Sequence, residues 1–237
     1  GWAWRADIDW LMRGPYAQGA RDGQGPDSPD GYRPIRQFVE VAAIEGNMLT
    51  LANSIHIDFP ESQHPQVWDT KARTTQYAGL EEFTLKGCRN IGIQFAKSSS
   101  YSWAKGIEMD GSDPEYPTDG HHVNMDGFRN VLHGSYIHHH SFYNSGGGSY
   151  GVVLSGGDCL IENNIMYAQN KPFQGQCTSG GNVIAYNYVD EAVYASLTGT
   201  WQETGLDTSH ASFSHSDLYE GNLSPNLSTD SVHGNAG

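Results

Sequence analysis

The stretch that decides the fold is GVVLSGGDCLIENNIMYAQN (151–170), followed by KPFQGQCTSGG (171–181) and NVIAYNYV (182–189). Within it LIENNIM (160–166) and VIAYNYV (183–189) superimpose, each a short β-prone run interrupted by Asn at its fifth position. Working outward, VLHGSYI (131–137) and LYEGNLS (218–224) fit the same template, so Ser135, Asn164, Asn187 and Asn222 fall in register. The copies start at Val131, Leu160, Val183 and Leu218, and subtraction gives spacings of 29, 23 and 35 residues. One turn of a solenoid with loops of varied length has this period.

The recurring Asn has a physical reason. Stacked turns place equivalent side chains one strand spacing apart, about 4.8 Å, where amides hydrogen-bond as a ladder and satisfy turn backbone. Apolar residues flank the fifth position, with Leu132, Ile161, Ile184 and Tyr219 before it and Tyr136, Ile165, Tyr188 and Leu223 after it. Both sets are expected to form inward stacks. LEEFTLKG (80–87), IGIQFA (91–96), AKGIEMDG (104–111), GVVLSGG (151–157) and PFQGQCTSGG (172–181) read as strands that supply the preceding face of a turn. No amphipathic helix of three turns follows residue 80, which argues against architectures built from βαβ units.

Residues 1–76 read differently. Residues 1–36 hold clustered Gly, Pro, Asp and Arg with no sustained period and predict an irregular cap or lid. FVEVAAI (38–44) and MLTLANSI (48–55) flank Glu45-Gly46-Asn47, the signature of a β-hairpin. The predicted organisation is a cap with hairpin over 1–76 and a solenoid over 77–237.

The formal charge of −14 leaves no basic surplus for a nucleic-acid backbone. The sequence has no apolar run long enough to span a membrane. Cys88, Cys159 and Cys177 lack zinc-site spacing, leave room for at most one bridge and read first as buried thiols, with Cys159 and Cys177 in repeat segments. Asn222-Leu-Ser and Asn226-Leu-Ser are glycosylation sequons.

The 151–189 stretch, the opening GLEEFTLKG, the WAKGIEM strand and the Gly146-Gly147-Gly148 run leading to Tyr150-Gly151 resemble the right-handed parallel β-helix proteins related to pectate lyases and polygalacturonases. The likeness covers roughly residues 77–237 and looks closest to bacterial secreted β-helix repeat proteins. It implies an all-β, single-stranded right-handed β-helix, found outside the cell or on its surface. It also implies polysaccharide as the partner and a lyase or glycoside hydrolase if the chain is an enzyme, with room for Ca2+. The family's Asp motifs for Ca2+ or acid catalysis have no residue-by-residue match here, which keeps a non-catalytic adhesin or filament subunit as the alternative.

The densest polar stretch, residues 105–140, is where chemistry would sit. Asp110, Asp126, Arg129 and His139 are the candidate catalytic set. A carboxylate pair would divide into acid and nucleophile or base, whereas a lyase would use a carboxylate-bound Ca2+ with Arg129 or a His as base. Trp103, Tyr143 and Tyr150, with Tyr167 and Trp201, are candidate sugar-stacking aromatics. His138-His139-His140 alternates sides on a strand and no carboxylate follows at ligand spacing, which argues against a transition-metal site. SVHGNAG (231–237) stops where another turn is expected, and an open edge would favour head-to-tail self-association.

Overall fold

A computed structural model describes residues 2–4, 35–61, 65–67, 75–113, 115, 120–140, 149–176, 178–192, 204–210 and 214–229. The fold is all-β, and its body is a pile of parallel strands in three sheets, the arrangement of a parallel β-helix solenoid. The first sheet stacks Gly79–Glu81, Trp103–Lys105, Val131–His133, Leu160–Glu162, Val183–Ala185 and Leu218–Glu220. The second stacks Thr84–Lys86, Glu108–Asp110, Tyr136–His138, Ile165–Gln169 and Tyr188–Ala192. The third stacks Ile91–Phe95, His121–Met125, Tyr150–Leu154, Lys171–Gln176, Leu206–His210 and Leu227–Ser228.

The register of the first sheet is the one read from the repeats: Val131 pairs Leu160, Leu160 pairs Val183 and Val183 pairs Leu218. Residues 79–86 and 103–110 prove to be two further copies of the same unit rather than preceding faces, with Phe83 and Ile107 at the fifth position. The preceding face is the third sheet, to which residues 91–95, 150–154 and 171–176 belong.

A left-handed residue recurs at the two corners that flank the first sheet. Between the first and second sheets it is Glu82, Gly106, Gly134, Asn163, Tyr186 or Gly221, with φ from 54° to 62°. Before the first sheet it is Tyr77, Tyr101, Arg129, Asp158, Gly181 or Ser216. Non-glycine residues in this region carry a steric cost, and stacking against the turns above and below offsets it.

The ladder is present. Asn164 Nδ2 donates to Asn187 Oδ1 at 3.0 Å, and Asn187 Nδ2 donates to Asn222 Oδ1 at 2.9 Å. The same oxygens accept from the Asn164 and Asn187 backbone N–H groups, and the Ser135 N–H donates to Asn164 Oδ1 at 2.9 Å. Each amide also donates to a carbonyl of a neighbouring turn, Asn164 to Leu132, Asn187 to Ile161 and Asn222 to Ile184. The Asn222 nitrogen, the first position of a sequon, is thus engaged with the Ile184 carbonyl in the folded chain.

A second ladder runs one residue ahead of each first-sheet strand, through Ser102, Asn130, Cys159, Asn182 and Asp217. Ser102 N–H donates to Asn130 Oδ1 at 3.0 Å, Cys159 N–H to Asn182 Oδ1 at 2.9 Å, and Asn182 Nδ2 to Asp217 Oδ1 at 2.8 Å. Burial pushes the Asp217 carboxyl upward despite the hydrogen bonds from Thr178 and Asn182. Cys159 sits in the core, where burial pushes its thiol up to about 12, so it is inert. Cys88 is half-buried, and Cys177 lies outside the described residues.

One expectation about the core is corrected. Leu132, Ile161 and Ile184 point inward as expected, but Tyr136, Ile165, Tyr188 and Leu223 are exposed. Because the fifth residue itself points inward, strand alternation turns the sixth outward and the seventh in. Ile137, Met166 and Val189 therefore complete the second wall of the core.

In the N-terminal segment Val41–Glu45 and Met48–Leu51 pair as an antiparallel hairpin that stands largely exposed. Trp2–Trp4 pairs antiparallel with Ile35–Gln37 and Pro65–Val67. Residues 5–34 and 231–237, which carry most of the cap expectation and all of the open-end one, lie outside the described residues.

Candidate functional site

The outward face of the second sheet holds two side-chain columns set by register. One runs Thr84, Glu108, Tyr136, Ile165, Tyr188, and the other Lys86, Asp110, His138, Tyr167, Asp190. Tyr136, Ile165 and Tyr188 are 37%, 46% and 41% exposed, so an aromatic and aliphatic stripe lies along the solenoid axis, one residue per turn.

Where the second strand of the Tyr136 turn ends, polar groups converge. His138 Nε2 stands 3.4 Å from Glu108 Oε1, the spacing of an ion pair rather than a short hydrogen bond, and its Nδ1 lies 3.8 Å from Asp110 Oδ1. His138 Nδ1 and His139 Nδ1 are 2.8 Å apart. Thr84 Oγ1 donates to Glu108 Oε2 at 2.7 Å, so three successive turns supply Thr84, Glu108 and His138 to one chain of contacts. Tyr136 stacks on the His138 ring at 3.9 Å, and Tyr167 meets the His139 ring edge-on at 5.8 Å.

This geometry overturns the sequence argument from alternation. The strand stops at His138, and His139 is left-handed with φ 56°, which brings the two neighbouring imidazoles together instead of splitting them. The carboxylate does not follow in sequence because it arrives from the turn below, through the Asp110–His138 register.

Electrostatics separate the groups. Burial alone would raise the Asp110 carboxyl, but bonds from Ser112 and the charges of His138 and Lys86 outweigh it and hold it low. Asp110 is thus an anion at neutral pH. Burial, outweighing Asp110 and Glu108, pulls His138 down. Behind it, His122 is fully buried and pulled down to about 3 by burial and then by His138, with Nδ1 bonded to Gln169 Nε2 at 2.8 Å. His121, stacked on Tyr150 at 5.1 Å, is pulled by burial to about 4.

The four candidate catalytic residues divide between two corners. Asp110 and His139 meet at the end of the second sheet. Asp126 follows the third-sheet strand His121–Met125, its N–H donating to Phe95 O at 2.9 Å. Arg129 occupies the next corner, where it contacts Asp158 at 3.3 Å, Glu40 at 3.3 Å and the Tyr101 hydroxyl at 3.0 Å. Among the aromatics, Tyr150 is buried rather than available to a sugar. Trp103 lies flat over Gly79 on the first sheet, with its Nε1 donating to Glu81 at 2.6 Å. Tyr143 and Trp201 lie outside the described residues. Glu108 and Asp110 share one face, as their spacing on a strand predicts, but the sequence reading missed His138 as their partner and Tyr136 and Tyr188 as surface residues; the period-2 alternation after the ladder position is the signal that would have found the tyrosines.

The fold and this face define the chain as a parallel β-solenoid with an aromatic and carboxylate-rich outer wall. No known protein family, curated protein or solved structure matches the chain.

Proposed function

We propose that the chain is a right-handed, single-stranded β-helix of the pectate-lyase-like kind, acting outside the cell, that holds a polysaccharide along the outer face of its second sheet. Right-handedness follows from the near-universal hand of crossovers between parallel strands. The observation that carries the binding reading is the exposed Tyr136, Ile165, Tyr188 stripe flanked by Tyr167 and the Glu108, Asp110 and Asp190 carboxylates. Aromatic faces stack on apolar sugar faces while carboxylates accept hydroxyl hydrogen bonds, and a stripe parallel to the axis suits a linear chain. The net charge of −14 disfavours a polyanion, so the partner class is a neutral polysaccharide.

Asp110 is held ionised, which suits a base or a hydroxyl acceptor and not a general acid. Affinity electrophoresis in gels containing a neutral glucan, a neutral mannan or polygalacturonate, with and without Ca2+, tests the reading, with reducing ends measured in parallel. Retardation by a neutral gel, lost in Tyr188→Ala, is the expected result. A mobility unchanged in every gel would return the chain to the alternative of a non-catalytic structural protein.

A further inference from the structure

We propose that Asp110, His138 and His139 form a site for a divalent transition ion of the zinc class, with Glu108 as the outer carboxylate that orients His138. One donor atom from each of the three residues lies within 4.8 Å of the others. An ion bound at the usual zinc distances of about 2.0–2.2 Å sets tetrahedral donors about 3.4 Å apart. The His138 and His139 Nδ1 atoms, at 2.8 Å, must open by roughly 0.6 Å, and His138 Nδ1 and Asp110 Oδ1, at 3.8 Å, must close by roughly 0.4 Å. Both are side-chain adjustments that leave the stacked backbone in place.

The donor set selects the class of ion. Two imidazoles and one carboxylate suit zinc and its first-row neighbours, whereas Ca2+ asks for six or more oxygens. Glu108 Oε1 stands 3.4 Å from His138 Nε2, so the tautomer with its proton on that nitrogen would face the carboxylate and leave the Nδ1 lone pair toward Asp110 and His139. Thr84 in turn anchors Glu108, so the outer carboxylate is itself held. Tyr136 and Tyr167 fix the planes of the two rings. Three protein donors leave a fourth position open to water or to a hydroxyl of whatever lies on the adjoining tyrosine stripe, the pattern of an open site rather than a closed structural one.

The test is titration of the 237-residue chain with Zn2+ alone, followed by calorimetry and by the visible spectrum of the Co2+ form. One equivalent should bind at micromolar concentration or tighter, with cobalt bands of a nitrogen and oxygen environment. His139→Asn, chosen because Asn tolerates the left-handed backbone there, and His138→Ala should each abolish that equivalent and its bands. Glu108→Gln should weaken binding by about tenfold or more while keeping the stoichiometry, and Cys88→Ser should change nothing. The proposal is overturned if the wild-type chain binds no stoichiometric Zn2+. It is equally overturned if Ca2+ binds more tightly than Zn2+, or if His139→Asn with a native near-ultraviolet spectrum binds unchanged. No sugar is present in this titration, so its failure leaves the polysaccharide reading standing, and the reverse holds too.

Discussion

Two corners of the same solenoid behave in opposite ways. At the corner between the first and second sheets four successive turns repeat one pattern, with Ser135, Asn164, Asn187 and Asn222 stacked, each amide accepting from the turn before it and donating to a backbone carbonyl. At the corner after the second sheet the same register carries Lys86, Asp110, His138, Tyr167 and Asp190, four residue types in five turns and no two neighbours alike. Repetition marks what holds the stack together, and its loss marks where the stack can do something else.

The ladder corner should break hardest. Asn187 is buried, makes two donor bonds and accepts two, so Asn187→Leu leaves several buried groups without partners and should cost about 3 kcal/mol or more in urea unfolding. The same change at the half-exposed Asn222 should cost nearer 1 kcal/mol. Equal losses at both positions would mean that the ladder contributes through shape rather than hydrogen bonding.

Acid should act next, and at the histidine corner. An unfolded His takes a proton near pH 6.5, whereas His122 waits until about 3 and His121 until about 4. The folded state thus binds fewer protons between those values, so stability is full above pH 6.5 and falls as pH drops toward 3. His122 alone accounts for a few kcal/mol across that window, and the urea midpoint measured from pH 7 to pH 4 should fall steadily. A flat profile would show that the corner opens to water before it titrates.

A smaller effect is expected at the remaining corner. Arg129 is part-exposed, and Arg129→Met, which severs its contacts with Asp158, Glu40 and Tyr101, should cost roughly 1 kcal/mol. The smallest belongs to Lys86, whose ammonium is 3.6 Å from Asp110 but 61% exposed, so Lys86→Met should shift stability by about 0.5 kcal/mol or less.

These corners were unequally legible in the sequence. The ladder could be read because stacking imposes the same residue at the same place, so Asn164, Asn187 and Asn222 announce one another. The second ladder was hidden by its own members, since Cys159 serves as a rung with its backbone N–H and Asp217 replaces an amide. The Asp110, His138, His139 cluster was illegible for two reasons. Its carboxylate is one whole turn away along the chain, and the bend that joins the two imidazoles falls on a histidine rather than on the Gly or Asn that usually signals a left-handed residue. The surface tyrosines were misassigned because the inward-pointing fifth residue shifts the alternation by one.

The contacts around Arg129 also set an order of events in time. Nearly every strand partner in the solenoid lies a single turn away in sequence, as in Leu160 to Val183 or Glu108 to Tyr136, so turns can zip onto one another without closing long loops. Glu40 and His56 are different. Glu40 reaches Arg129 across 89 residues and Tyr101 across 61, and His56 approaches Asp158, and those three partners sit on three different turns. The segment around residues 37–59 has no complete docking surface until those turns have formed, so it should settle after them during folding and exchange its amides with solvent before theirs.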